Sequence, residues 1–383
     1  MRYRSGVLSP VLESDIKKYA YIDALRGMAI LGVILVHSSH SVEPAHEKLL
    51  WVMREGARGV QLFFVASAIT LCMSWMTRSP YEKFPIRNFY IRRFFRIAPM
   101  FYIAILTYSI LNGFSPSYWA PNGISWWFVP VTAAFLHGFH PETITSVVPG
   151  GWSIAVEMNF YFILPFLLPR IQSIQSCFFF LVIGIGLSGL NLLLVPQIFA
   201  YPESRQYLLK NFCYFNFFGQ LPIFVMGICC YFILRENYPR RQITMVSASL
   251  LAVFLPAFLY PAFNLPDYFF AGKLFKLSHH FIAGGLFSVC ALLLAYHPIR
   301  LLVNRITITF GKLSFSMYLS HFAVLTLFSA TGFSQIFPVS DTASLLHFLC
   351  VVLVTAGVSS FFYRYIEKPG MALGKMKIDN KMS

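Results

Sequence analysis

Ten stretches of this chain are long and apolar enough to cross a lipid bilayer, and this pattern limits the fold more than any other feature. A span needs about 20 apolar residues, and inside the bilayer the backbone must satisfy its own hydrogen bonds. With 57% hydrophobic and 12% charged residues over 383 positions, the chain leaves no room for a sizeable soluble domain. We therefore predict an all-α integral membrane protein. The predicted spans lie near residues 22–40, 60–76, 95–112, 153–169, 177–196, 213–233, 243–263, 280–297, 311–332 and 343–363.

A further apolar segment, residues 124–138, is short and contains Pro130 and His137. If it crossed the membrane, every later loop would change sides, and Arg235 and four other arginines would face outward. Ten spans instead place most of the 30 Lys and Arg residues on one side, which the positive-inside rule identifies as the cytoplasm. We predict a re-entrant or interfacial helix here, with both termini in the cytoplasm.

The predicted organisation has three parts, namely a cytoplasmic tail at 1–20, a transmembrane domain at 21–367 and a cytoplasmic tail at 368–383. The first span lacks a small-residue cleavage site, so we expect it to be retained. Lys368 and Pro369 follow the last span and predict a helix stop there. The net charge of +15 is attributed to flanks that meet anionic membrane lipids, and no nucleic-acid partner is expected.

Arg26 and His37 are two ionisable residues inside the apolar run of the first span, residues 21–37. Such groups cost on the order of 2.5 kcal/mol or more at mid-bilayer, so they usually serve a function. Eleven residues turn an α-helix through about 1100°, which places both side chains on one face, about 16 Å apart along the axis. Separately, Arg26 could reach a lipid headgroup and His37 could be a satisfied bundle histidine. Together on one face they favour a functional pair, and Asp23 is expected to orient Arg26.

Six motifs occur in an order and spacing that resemble the acyltransferase-3 membrane family over about residues 20 to 370. They are IDALRGMAILGVILVH, LFFVASAITL, RRFFRIAPMFY, WSIAVEMNFYFILP, FGKLSFSMYLSHF and YRYIEKP. The resemblance implies an inner-membrane enzyme that moves an acyl group, usually acetyl from acetyl-CoA, onto a hydroxyl of a surface or secreted glycan. Lipopolysaccharide O-antigen and exopolysaccharide are such glycans. The family's paired arginine and histidine correspond to Arg26 and His37.

The chain departs from the family pattern beside Ser67, where Ala68 replaces the customary glycine. We expect a less close backbone approach at Ala68 and retain Ser67 as a candidate acceptor residue. Many family members also carry an extracytoplasmic hydrolase-like domain. Because about twenty residues follow the last predicted span here, we expect the helix bundle itself to handle the acceptor.

Arg92, Arg93 and Arg96 lie where the chain enters the third span from its predicted cytoplasmic side. The three-residue step from Arg93 to Arg96 keeps these two guanidinium groups on adjacent parts of one helix face. Guanidinium groups bind phosphate in bidentate fashion, so both could grip the phosphates of CoA, with Arg26 completing the site. The alternative is ordinary flank charge, especially for Arg92.

Glu157 is the one carboxylate placed clearly inside an apolar segment of the sequence. It is expected to lie at the depth of His37 and to orient its imidazole, although a structural hydrogen bond between helices is an alternative. Tyr161, one turn later, is predicted to pack. Trp152 is interpreted as an interfacial anchor or an acceptor-site wall, and mid-span His321 as a helix-bridging or acceptor-site residue.

The sequence thus predicts an acyl-CoA-dependent O-acyltransferase of the bacterial inner membrane. Acetyl-CoA would dock from the cytoplasm, and His37 would either deprotonate the acceptor hydroxyl or carry the acetyl group itself. The expected partners are acyl-CoA, a glycan or lipid-linked saccharide, and membrane lipids. No metal is expected. The alternatives are a transporter or flippase for a glycan or lipid-linked sugar, and a purely structural membrane protein.

Overall fold

The computed structural model describes residues 10–236, 238–260 and 272–379, and it places no β-strand among them. The α-helices of these residues are α1 (Pro10–Ser39), α2 (Glu47–Glu55), α3 (Gly59–Arg78), α4 (Pro85–Asn112), α5 (Phe128–Ala133), α6 (Trp152–Leu167), α7 (Ile174–Ile198), α8 (Gln206–Phe215), α9 (Phe217–Arg235), α10 (Arg240–Leu259), α11 (Gly272–Tyr296), α12 (Arg305–Ala330), α13 (Asp341–Phe362) and α14 (Lys368–Asp379).

Ten helical stretches of the described chain are long and apolar enough to cross a membrane, which confirms the predicted all-α class and number of spans. The protein is therefore a multi-pass membrane protein. α7 and α10 lie at the periphery, since only 22% and 11% of their span residues are buried. Their exposed leucine, valine and phenylalanine side chains form a surface suited to lipid. Residues 261–263 of the seventh predicted span lie outside the described residues.

The segment at 124–138 forms only a short helix, α5, followed by a 3₁₀ turn at His137–Phe139. Six helical residues cannot cross a bilayer, so this segment is not an eleventh span, and its re-entrant or interfacial position stays a prediction. The His137 ring stacks on Phe101 and its Nε2 donates to the Gly151 carbonyl at 2.9 Å. Burial lowers the pKa of His137 to about 4, so the ring is neutral at pH 7 and anchors this segment to the start of α6.

α1 packs most extensively against α12, and two glycines set the distance between them. A Cβ atom on Gly311 would lie 1.8 Å from the Asp23 carbonyl oxygen. A Cβ atom on Gly27 would lie 2.0 Å from the Thr307 carbonyl oxygen. Only glycine permits backbones to approach this closely. The contact fixes the two helices against each other.

The predicted loosening at Ala68 is wrong. A Cβ atom on Gly227 of α9 would lie 2.7 Å from Ala68 Cβ and 2.9 Å from the Val65 carbonyl oxygen. The glycine that allows α3 and α9 to approach therefore lies on the partner helix.

The predicted helix stop at Lys368 and Pro369 is also wrong. A π-helical turn at Tyr363–Glu367 joins α13 directly to α14. Pro369 lies in the first turn of α14, directly after the π-helical turn, so its missing N–H falls where the regular i→i−4 hydrogen-bond ladder is already interrupted. Gly374 places α14 against α4, since a Cβ atom on this glycine would lie 2.8 Å from Phe95 Cβ. The ends of the two predicted tails, residues 1–9 and 380–383, lie outside the described residues.

Candidate active site

The first of three adjoining cavities, here called the neck, is narrow, with a volume of about 60 Å³. It lies at the arginine end of α1, where Arg26 enters its wall. Arg26 Nη2 donates to Thr70 Oγ1 at 3.0 Å, and Arg26 Nη1 lies 3.8 Å from Asp23 Oδ1. The predicted pairing of Asp23 with Arg26 is confirmed. These contacts hold the guanidinium in one orientation toward the cavity.

Glu157 also lines the neck. Ser67 Oγ donates to Glu157 Oε1 at 2.6 Å, and the Tyr161 hydroxyl donates to the same oxygen at 2.5 Å. The expected pairing of Glu157 with His37 is therefore wrong, because packing turns this face of α6 toward Ser67 on α3. Tyr161, predicted to pack only, has a polar contact in this network and lines the neck.

Arg93 and Arg96 line both the neck and the second cavity. The Arg93 guanidinium lies 5.5 Å from the Phe89 ring centroid and 5.7 Å from that of Tyr161. Its Nη2 donates to Ser74 Oγ at 3.3 Å, whereas its buried Nε has no hydrogen-bond partner in the described chain. A buried donor without a partner is available to a ligand.

The second cavity, here called the entrance, has a volume of about 460 Å³ and adjoins the neck at Arg93 and Arg96. Arg78, Arg92 and Lys375 also line it. Arg92 differs from the other cations because Nη1 and Nη2 contact Glu82 at 2.5 and 3.2 Å. The structure thus separates Arg92, whose charge is paired, from Arg93 and Arg96, as the sequence spacing indicated.

The third cavity, here called the chamber, is about 650 Å³ in volume and lies at the histidine end of α1. It adjoins the neck at Val60 and Tyr318, which line both. Trp152 lines the chamber and is 7% exposed, with its ring centroid 4.5 Å from that of Phe215. Trp152 is therefore a buried wall residue and not an interfacial anchor.

Three rings surround the imidazole of His37, which lines the chamber. Their centroids lie at 4.4 Å for Phe322, 5.3 Å for His321 and 5.7 Å for His40. Neither nitrogen of His37 makes a hydrogen bond to the part of the chain that the structure describes. The ring thus lies in T-shaped and tilted contacts with its neighbours, and both nitrogens are available to a ligand.

His321 is fully buried beside His37 and is not part of the chamber wall. Its Nδ1 lies 2.7 Å from the Tyr318 carbonyl oxygen, so Nδ1–H is the donor and Nε2 carries the lone pair. Nε2 is buried and has no partner among the described residues. The candidate acceptor-site residue of the sequence is thus a neighbour of His37.

Sequence reasoning missed three chamber residues, His40, Arg58 and Lys210. His40 was detectable, because it follows His37 by three residues and helical spacing brings such residues together. Arg58 and Lys210 carried no such signal, since they resembled ordinary loop charges. Arg58 Nη1 donates to the Tyr214 hydroxyl at 2.7 Å and its Nε donates to Glu55 Oε2 at 3.4 Å, so this guanidinium is held in place and its charge is paired.

The described residues contain no cluster of three or more His, Cys, Asp or Glu side chains able to hold a metal ion. The cationic cavities and the free imidazole form a site suited to an anionic organic ligand, and one helix carries both ends of it. Fold and site together define a multi-pass membrane protein with three adjoining cavities, from a cationic entrance through a narrow neck to an aromatic chamber.

A family model described as an acyltransferase domain matches residues 19–364, and the chain belongs to this acyltransferase-3 family. It is 23% identical over 384 residues to the O-acetyltransferase OatA of Staphylococcus aureus strain NCTC 8325 / PS 47, covering 91% of this chain and 56% of that protein. It is 24% identical over 383 residues to the peptidoglycan O-acetyltransferase OatA of Listeria monocytogenes strain EGD-e, covering 91% of this chain and 55% of that protein. The chain thus spans about half the length of these relatives. No solved structure shows significant similarity to it.

Proposed function

We propose that this protein is a membrane O-acyltransferase that moves an acetyl group from acetyl-CoA to a hydroxyl of a glycan. The observation that carries the proposal is the arrangement along α1, where Arg26 lines the neck and His37 lines the chamber. About 16 Å separates the two residues along the helix axis. An extended pantetheine arm matches a narrow passage between an anion site and a reactive group.

The donor would enter from the arginine end with its phosphates against Arg26, Arg93 and Arg96. Guanidinium forks suit phosphate oxygens, and the unpartnered Nε of Arg93 supplies a donor already desolvated by the protein. The small volume of the neck favours an unbranched chain over a sugar. This end would face the cytoplasm of a bacterial inner membrane, where acyl-CoA is available.

The thioester would then lie beside His37. The imidazole accepts the proton of the acceptor hydroxyl as the hydroxyl oxygen attacks the thioester carbonyl. The carbon–sulfur bond breaks, and the departing thiolate takes the proton from the imidazolium, so that CoA leaves as a neutral thiol. In the alternative route, His37 itself attacks the thioester and passes the acetyl group on.

The acceptor would occupy the chamber. Its walls combine aromatic rings such as Trp152 with the guanidinium of Arg58, which Tyr214 and Glu55 hold in place. Pockets with apolar walls and a few placed polar groups hold organic ligands well. One relative is named as a peptidoglycan O-acetyltransferase. A glycan or lipid-linked saccharide is therefore the proposed acceptor class, with peptidoglycan among the candidates beside lipopolysaccharide and exopolysaccharide. The family match favours this activity over a transporter.

The test uses inverted membrane vesicles that contain the full chain, supplied with acetyl-CoA labelled in the acetyl group. The wild type and His297→Ala, a variant of an exposed histidine far along the chain, should transfer label to glycan, whereas His37→Ala should not. Label trapped on wild-type protein and absent from His37→Ala would establish the acyl-histidine route. Absence of acyl-CoA turnover by folded wild-type protein in the presence of acceptor would overturn the proposal.

A further inference from the structure

We propose that the C-terminal helix α14 forms one wall of the donor site, and that the entrance cavity holds the 3′-phosphorylated adenosine end of CoA. This inference rests on the proposed acyl-CoA function and extends it to a segment that the sequence marked only as a tail. Lys375 of α14 is the residue that contacts the 3′-phosphate.

The first support is that α14 is a built part of the bundle. Gly374 allows α14 to lie against Phe95 of α4, as described above, and a Cβ atom on Gly370 would lie 2.8 Å from the Phe95 carbonyl oxygen. Ile378 is 8% exposed and lines the entrance together with Lys375. The wall that carries Lys375 is therefore fixed by packing against the same helix that carries the arginines.

The second support is the charge of the entrance. Arg92 is neutralised by Glu82, and Asp379 is the other acidic lining residue. Arg78, Arg93, Arg96 and Lys375 have no ion-pair partner within the described residues. Positive charge is thus in excess in a cavity of about 460 Å³, a volume within the usual range for a small organic ligand. A phosphorylated nucleotide has the complementary charge.

The third support is the order of the cavities. Arg93 and Arg96 belong to both the entrance and the neck, whereas Lys375 lines the entrance only. In CoA the diphosphate joins the pantetheine arm to the adenosine, and the 3′-phosphate lies at the far side of the ribose. If the pantetheine occupies the neck, the shared arginines meet the diphosphate, and the remaining phosphate falls on the side of α14.

The experiment compares acetyl-CoA with acetyl-dephospho-CoA, which lacks only the 3′-phosphate, as donors for the full-length protein in vesicles. The variants are Lys375→Ala, Lys375→Arg and the control Lys377→Ala. Lys377 is exposed on the same helix, but its Nζ lies 5.0 Å from the Phe95 ring centroid and it does not line the entrance. Lys375→Ala and Lys377→Ala therefore each remove one positive charge from α14, but only Lys375→Ala removes it from the entrance.

Lys375→Ala should raise the KM for acetyl-CoA about fivefold and change the KM for acetyl-dephospho-CoA by less than about twofold, as expected for loss of one exposed ion pair. Lys375→Arg should keep the wild-type preference, and Lys377→Ala should leave the ratio of the two KM values unchanged. Equal effects on both donors, no effect on either, or a wild type that accepts both donors equally would overturn this inference alone. A folded wild type that turns over neither donor would instead overturn the proposed acyl-CoA function, and this inference with it.

Discussion

The two ends of α1 are held in opposite ways. At the arginine end, Arg26 contacts Thr70 and Asp23, and Glu157 accepts hydrogen bonds from two side chains. At the histidine end, His37 is surrounded by rings and makes no hydrogen bond within the described chain. A network that fixes charged groups suits a ligand held in one place, whereas a ring with free nitrogens suits proton or acyl transfer. In the proposed function, the arginine end therefore binds the donor and the histidine end carries out the chemistry.

The largest expected effect separates chemistry from binding at the histidine end. His37→Ala should lower kcat about 10³-fold while changing the KM for acetyl-CoA by less than about twofold, because loss of a general base affects the transition state and not the ground state. Steady-state kinetics in vesicles gives both constants. A raised KM with an unchanged kcat would assign His37 to donor binding and remove the contrast between the two ends.

At the arginine end the converse effect is expected, on KM and not on kcat. Arg93→Ala should raise the KM for acetyl-CoA about 10- to 100-fold and leave kcat nearly unchanged, since a charge-assisted hydrogen bond is worth about 1.5–3 kcal/mol. The control is Arg170→Ala, which removes an exposed arginine that lines none of the three cavities. A fall in kcat without a change in KM would show that Arg93 acts on the reacting atoms.

Features within one helix could be predicted from the sequence, because the α-helical period fixes them. The number of spans, the pairing of Asp23 with Arg26 and the shared face of Arg93 and Arg96 all follow from spacing and hydropathy. Contacts between helices could not be predicted in this way. Whether Glu157 meets His37 or Ser67 depends on the rotation and depth of α6, which packing decides.

The C-terminal helix shows the same limit. Lys368 and Pro369 resemble a helix end, and no local signal indicates that the π-helical turn before them lets the chain continue. The position of Lys375 at the entrance then depends on small residues one turn apart, Gly370 and Gly374, that fit against Phe95. Such a contact becomes visible only when the two helices are placed together.

A change at the contact between α1 and α12 should affect both ends together. Gly311→Ala places a Cβ atom 1.8 Å from the Asp23 carbonyl oxygen, so the helices must separate. Overpacking of this kind costs about 1–3 kcal/mol, and we expect a lower Tm of the detergent-solubilised protein. Gly186→Ala is the matched control, because a Cβ atom at Gly186 would have no neighbour within 4 Å among the described residues. Alanine also has a higher helix propensity than glycine, so this variant should not lower Tm. Equal Tm values for the two variants would contradict the role given to this contact.

The smallest expected effect on kcat concerns His321, which would position His37 without touching the substrate. His321→Phe keeps a ring beside His37 and removes the Nδ1–H bond to the Tyr318 carbonyl and the unpartnered Nε2. We expect kcat to fall about tenfold with KM and Tm nearly unchanged, because the catalytic ring would sample more orientations. His280→Phe is the control. His280 is also buried and its ring is hydrogen-bonded to the Gly219 carbonyl, but it does not contact His37.

If both variants lowered Tm equally and left kcat unchanged, His321 would be a structural residue. The contacts with Phe322 and His40 would then suffice to hold His37. If only His321→Phe lowered kcat, His321 would be a residue that positions His37. The histidine end would then be ordered by contact with a neighbouring ring, whereas the arginine end is ordered by direct hydrogen bonds.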